Sequence, residues 1–454
     1  MVLDIENAVG ELKEFHAGLH RFFMTKTRYV AGQALQYSQG LLFGSERKNM
    51  TNMEKTVPNS DPQALQHFLS NSQWDEEGVI TEIPGRISEL IGTPAHGSLH
   101  FDESWFLKDG AHSVGTNRQY CGRFGKVDNC QVGVFLRYAV HSYRALVDKR
   151  IYLPRDWAED PVRRKHCGVP AEVTFKTKAE LALDMLSRAR VRGVPFAWVG
   201  MVCFYGQQPW LLEQLESEET LYLYIADIPN DTRVWRNCPK VEVPERKWKP
   251  GPQPWRERVV EGELEPIKER ELAKEIPDAE KERIFLRDTE RKELWCNMVC
   301  LRVYPVRDEL PGPESWLIIR WDDNGEVKYQ FSNASADTKI NRLAEMSCSR
   351  YRIERAFENA KGEVGVADYE VRGWLGWHHH TTMVLLAMLF LLILHLKWKG
   401  KAPLLTIQDV REILEVVLPR KVVTKEELLK RIERKHKARE SARKSHHKRN
   451  SKPG

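Results

Sequence analysis

Between residues 98 and 228 the hydrophobic period switches repeatedly between two and about 3.6, and that order narrows the folds open to the chain. Ser98–Ser104 (SLHFDES), Gln131–Val140 (QVGVFLRYAV) and Val147–Leu153 (VDKRIYL) read as strands, the last two separated by a short turn around His141–Ala145. Thr177 and Glu180 form a capping box. It opens a helix with Leu181, Met185 and Leu186 on one side, which Gly193 ends. Phe196–Phe204 (FAWVGMVCF) is a nearly continuous apolar run, the pattern of a strand buried on both faces. Pro209–Leu215 begins another helix, and Leu221–Ile228 (LYLYIADI) is a fifth strand. Strand, strand, strand, helix, strand, helix, strand is an order that several α/β folds share.

The flanks are less regular. Residues 1–95 read as a helical N-terminal region, with apolar residues at helical spacing in Glu11–Phe23, Tyr29–Leu42 and Pro62–Leu69. Such a region suits a small DNA-binding domain or a cap on the next domain equally well. Residues 96–232 carry the alternating elements. Residues 233–330 break the pattern and read as an inserted subdomain. They are rich in Pro, Trp and charge (WKPGPQPW at Trp248–Trp255), with a long charged stretch after Leu264 expected to be helical. They close on a hairpin, Trp316–Arg320 and Val327–Phe331, around Asp323-Asn324-Gly325. Residues 331–400 return to the main fold with a helix from about Asn341 to Asn359 and an apolar helix. Residues 401–454 hold two short helices over 406–434 and a basic tail.

The formal charge of +6 on 454 residues says less than its distribution. Lys430–Lys452 holds eleven Lys or Arg against two Glu. Such a run repels itself and rarely packs, so it is expected as a disordered arm suited to phosphate backbones, or simply to water. The eight cysteines are scattered, without a CxxC pair or a zinc-like Cys/His spacing. Acids mix with bases at the N-terminus, unlike a secretory signal, and a reducing cytoplasm fits both features. Met383–Leu394 (MVLLAMLFLLIL) carries no charge. As a helix these residues rise about 18 Å, against roughly 30 Å of bilayer hydrocarbon. A buried core helix is therefore expected, not a membrane span.

Five blocks make the reading specific: Phe101–Phe135 (FDESWFLKDGAHSVGTNRQYCGRFGKVDNCQVGVF), Tyr152–Trp157 (YLPRDW) with Asp160-Pro161, Phe175–Leu186 (FKTKAELALDML), Val194–Pro209 (VPFAWVG…YGQQP) and Tyr351–His380. In this order they resemble the signature blocks of one group of DDE transposases, the RNase H-like DNA-cutting enzymes of bacterial insertion sequences. The resemblance covers most of residues 60–390. It implies an α/β, RNase H-like mixed sheet flanked by helices, with an inserted subdomain and helical N- and C-terminal regions. It also implies metal-dependent cleavage and strand transfer at terminal inverted repeats. The implied partners are double-stranded DNA, both terminal repeats and target, and further copies of the chain assembled on it. The implied location is the cytoplasm, on the bacterial nucleoid.

Cutting a phosphodiester requires in-line attack on a poorly electrophilic phosphorus. Two Mg²⁺ (or Mn²⁺) ions roughly 3.5–4 Å apart activate the attacking oxygen and steady the leaving one. Mg²⁺ takes a few carboxylates plus water and phosphate oxygens. The resemblance puts the first catalytic, metal-binding acid at Asp102 and the third at Glu354. Side chains alternate along a strand, so Glu103 points to the face opposite Asp102. Arg350, Glu354 and Lys361 match the Arg-x3-Glu-x6-Lys part of the YREK motif, with Ser347 at its Tyr position and Tyr351 nearby. On a helix that spacing sets one acid beside two DNA-phosphate-binding cations. The second acid is missing. Alignment through Trp198-Val199 and Tyr205-Gly206 assigns it to position 202, which is Val202, and no Asp or Glu occurs between Asp184 and Glu213. Asp227, near the end of the fifth strand, is the alternative acid. Asp102, position 202 and Glu354 are expected to meet in one cleft lined by Arg350 and Lys361. Two functions stay open: a transposase with impaired cleavage, or a catalytically inactive DNA-binding protein derived from one.

Overall fold

The computed structural model describes residues 5–43, 47–122, 125–244, 255–288, 293–349 and 359–450. The N-terminal region is helical: α1 (Ala8–Ala17), α2 (Ala31–Leu42), α3 (Met50–Thr56), α4 (Pro62–Ser70) and α5 (Glu76–Ile91). α4 and α5 are each opened by an aspartate, Asp61 and Asp75, whose carboxylate accepts a hydrogen bond from the backbone N–H three residues on.

The sheet that follows is built from β1 (Ser98–Leu107), β2 (Asn117–Cys121), β3 (Lys126–Val140) and β4 (Tyr143–Tyr152), with β3 antiparallel to each of the other three. The turn between β3 and β4 is tight, with His141 at φ 48°. The capping box at Thr177 and Glu180 opens α6 (Lys178–Val191). The apolar run Phe196–Phe204 yields a strand of only four residues, β5 (Trp198–Met201), because the chain turns at Val202 into α7 (Cys203–Gly206). After α8 (Pro209–Glu216) comes β6 (Tyr224–Ile228). β5 runs parallel to β1, and β6 parallel to β5. The order β4-β3-β1-β5-β6, antiparallel on one side and parallel on the other, is the RNase H-like arrangement.

Among the described residues of 233–332, most strands widen this sheet, while Val241–Glu242 and Arg258–Val259 pair apart from it as a small two-stranded sheet. β7 (Arg233–Trp235), β8 (Ile267–Lys268), β9 (Glu282–Asp288), β10 (Glu293–Arg307), β11 (Ser315–Asp322) and β12 (Val327–Ser332) extend it from β6 in the order β12-β11-β10-β7-β8, with β9 beside β10. The expected hairpin is β11–β12. Among the described residues, the charged stretch after Leu264 forms one short α-helix, α9 (Glu269–Glu275), and then becomes the strands β9 and β10. Its Glu, Lys and Arg read as helix formers, but charge at a sheet margin also blunts edge-to-edge pairing.

One face of the sheet carries α6, whose Lys178 pairs with Glu103 at 3.0 Å. The other face carries two covers. α10 (Ile340–Ser349) packs Leu343 and Met346 against Trp198, Ile225, Met298 and Ile318. α11 (Trp374–Lys399) packs over β3 and β4, with Trp377 against Phe135. α11 has 26 residues, far more than the uncharged stretch alone, so length does not rule out a membrane span. Its surroundings decide: 78% of its most apolar window is buried within the protein. α12 (Ile407–Val417) and α13 (Lys425–Asn450) follow. α13 is one long helix where a disordered arm was expected. Lys, Arg, Glu and Ala are good helix formers, and Thr424 caps the start through the Glu427 N–H at 3.2 Å.

The first turns of α11 bury three consecutive histidines. Lys149 Nζ donates to His378 Nδ1 at 2.8 Å and to Glu76 Oε1 at 2.6 Å, and Thr382 Oγ1 donates to the same carboxylate oxygen at 2.5 Å. His379 stacks on Trp74 with ring centroids 4.1 Å apart. His380 Nδ1 pairs with Tyr37 Oη at 2.8 Å. Burial lowers all three histidines, His378 well below its ordinary value, His379 to about 4 and His380 to about 3. The folded protein therefore binds fewer protons than the unfolded chain below pH 6.5. Stability should fall as pH drops from about 6.5 toward 4, by up to about 1.4 kcal/mol per pH unit for each histidine. Urea unfolding across that range checks this, and His379→Gln should flatten the slope. Lys149→Met strands the Glu76 carboxylate and should cost about 3–5 kcal/mol in the same assay at neutral pH.

Candidate active site

The β1–β5 pairing runs from Ser98↔Trp198 to Phe101↔Met201, and the β5–β6 pairing ends at Met201↔Ala226. One step further along the same register sets Asp102, Val202 and Asp227 in a row across three neighbouring parallel strands. Val202 is still extended, with φ −77° and ψ 164°. Adjacent strands lie about 4.8 Å apart, so position 202 is next to Asp102 and Asp227 about twice as far. The row faces the side of the sheet covered by α10 and α11. His100, two residues before Asp102, meets the Trp198 ring at 5.0 Å on that side.

The Tyr-Gly pair after Val202 has a structural reason. Tyr205 is fully buried against Phe101, with centroids 5.5 Å apart. A Cβ on Gly206 would come within 2.1 Å of the Asp227 carbonyl oxygen, so α7 can lie against β6 only with glycine there. These contacts account for the Tyr-Gly pair through which the resemblance aligns position 202. Val202 is also the residue that starts α7, and it makes no side-chain cap. An Asp at such a position would accept the free N–H groups of the first turn.

Asp102 is 24% exposed, and its Oδ2 accepts a hydrogen bond from Arg137 Nη2, on a side chain 1% exposed. Its Oδ1 accepts the Glu103 N–H at 2.7 Å. Glu103 points the other way, toward α6 and Lys178, and burial pushes its carboxyl upward. Asp227 is 6% exposed, and its Oδ1 accepts from Gln330 Nε2 at 2.6 Å.

Residues 14–293, more than half of the chain, match the family described as DDE superfamily endonuclease. The chain belongs to the DDE superfamily of endonucleases. It is also 27% identical over 169 residues to the probable transposase for insertion sequence element IS701 of Microchaete diplosiphon, a match covering 37% of this chain and 41% of that relative. The chain thus spans less than half the length of that curated relative.

DDE superfamily endonucleases generally use divalent metal ions, and the donors among the described residues do not fit such a pair. One carboxylate, Asp102, faces the row's open end with both oxygens engaged, position 202 is apolar, and Asp227 is held by Gln330. Among the described residues no cluster of three His, Cys, Asp or Glu could hold a metal. Asp102 and position 202 come together as expected. Glu354 and Arg350 lie outside the described residues. Lys361 lies half-buried in the helical turn 359–362. Sequence reasoning missed Arg137. The signal is present in the chain: Arg137 is the one charge inside the apolar run QVGVFLRYAV, and a charge buried in a strand needs a partner.

Proposed function

We propose that this chain is a transposase by descent that binds the terminal inverted repeats of an insertion sequence and cleaves them poorly. The observation that carries the reading is the row Asp102–Val202, in which an apolar side chain stands beside the first acid of a DDE fold. In such enzymes the metals, when bound, activate the attacking oxygen and stabilise the charge that develops on phosphate. Asp102 and Glu354 would be the remaining ligands for Mg²⁺ or Mn²⁺, and Arg350 and Lys361 would contact DNA phosphates. Without the acid at 202 the nucleophile loses activation and part of its charge stabilisation, each worth several kcal/mol. At about 1.4 kcal/mol per tenfold, cleavage falls by orders of magnitude. The chain acts as a homo-oligomer on nucleoid DNA. Val202 equally favours a second reading, a DNA-binding protein that no longer cuts.

Mg²⁺-dependent nicking of terminal-repeat DNA should be weak in the chain as it stands and higher in Val202→Asp, with DNA affinity unchanged. Equal, robust nicking by both would show that Asp227 or another group has taken the role. Failure to bind terminal-repeat DNA would sink both readings.

The described side chains of α13 are exposed and include much of the basic run. It supplies cations to the phosphate backbone during DNA binding. Deleting residues from 425 onward should flatten the plot of log affinity against log salt by about 0.9 for each phosphate that the helix neutralises. An unchanged slope would remove α13 from the interface.

A further inference from the structure

The partner of Asp102 carries a consequence beyond the missing acid. Arg137 pairs with His100 in the β1–β3 register, and Asp102 pairs with Phe135. Arg137 therefore sits on the same sheet face as Asp102, one non-adjacent step along, close enough to lay its guanidinium against the carboxylate. At 1% exposure it is out of reach of a DNA phosphate. A guanidinium does not lose its charge inside a protein, so this one is a fixed cation.

We propose that Arg137 is the resident cation of the cleft: it holds one carboxylate oxygen of Asp102, so that two features, not one, keep divalent metal out. The proposal rests on the reading of Asp102 as the first acid of the family. A dication approaching Asp102 meets a positive charge already in contact with its ligand. Restoring an acid at 202 does not remove that charge. It offers Arg137 a second carboxylate, and arginine's fork of donors suits two acceptors at once. Val202→Asp alone is therefore only a partial repair. The full repair also removes Arg137, leaving two neighbouring carboxylates whose repulsion a metal relieves.

The test uses the full chain and metal alone, without DNA. Tb³⁺ binding is followed by tryptophan-sensitised luminescence and checked by Mn²⁺ competition. The expected order is no saturable binding for the unaltered chain, weak binding for Val202→Asp, and binding at least about tenfold tighter for Val202→Asp with Arg137→Leu. Arg137→Leu alone should stay as weak as the unaltered chain, because Val202 leaves Asp102 without the neighbouring acid that would complete the site. If Val202→Asp alone binds as tightly as the double variant, Arg137 does not block the site and the proposal fails. Tight binding by the unaltered chain also overturns it.

A second measurement holds even if Arg137→Leu does not fold. In an empty metal site the acids repel, and neutralising one leaves thermal stability unchanged or raises it. Where the acid instead pairs with a buried arginine, neutralising it removes charge compensation from that arginine. Asp102→Asn should thus lower the melting temperature, measured in chelator, by more than about 2 °C. An unchanged or raised melting temperature refutes the pairing. Neither readout involves DNA, so a failure of terminal-repeat binding would count against the proposed function without touching this result.

Discussion

The parallel pairing of β1 with β5 holds the centre of this molecule together, and with it the site. Residues numbered one hundred apart lie side by side from Ser98 to Phe101, and no local contact could bring them there. Parallel strands need a long crossover, and here it runs through β2, β3, β4 and α6. β6 repeats the parallel pairing on the far side. The wider sheet then grows outward from β6, so the β-rich segment after residue 233 depends on the same alignment. A slip of one residue between β1 and β5 would turn Asp102 and position 202 to opposite faces.

Two strongly buried cations lie on adjacent strands of this sheet, and each is balanced differently. Lys149 on β4 is shared between Glu76 of the N-terminal helices and His378 of α11, so it ties three distant parts of the chain together. That histidine accepts a hydrogen bond from the lysine only when neutral, which its burial ensures. Arg137 on β3 leans on Asp102. The first arrangement belongs to the fold, and its lysine is fully buried. The second places a structural requirement on Asp102, the residue proposed above as the first acid.

The core is readable from sequence where pattern and packing agree. The capping box of α6, the β3 and β4 strands and the β11–β12 hairpin each carry a local signal that tertiary contacts reinforce. Phe196–Phe204 reads as more strand than it forms, because the backbone turns at Val202 into α7 while the apolar run continues through Phe204, which is exposed. β9 and the basic helix α13 depart from expectation for a shared reason: charge-rich composition fixes solubility, not backbone conformation. The helix α5 escapes a reading by segment, although Val79, Ile80, Ile83 and Ile87 give it a clear buried stripe. In the site, motif spacing locates Asp102 and the apolar residue at 202. The Arg137 contact is beyond such spacing, because it depends on which residue lies diagonally across an antiparallel pair.

The position of α11 along the chain bears on how the protein is made. A helix this long and apolar is the kind of segment that membrane-insertion machinery and aggregation both capture when it emerges bare. Here the partners of its three histidines, on α2, at the end of α4 and on β4, are all encoded upstream. The groove leaves the ribosome before its occupant does. The most hazardous segment of the polypeptide is thus synthesised only after its own shelter, an ordering that a circular permutation starting near residue 360 would reverse.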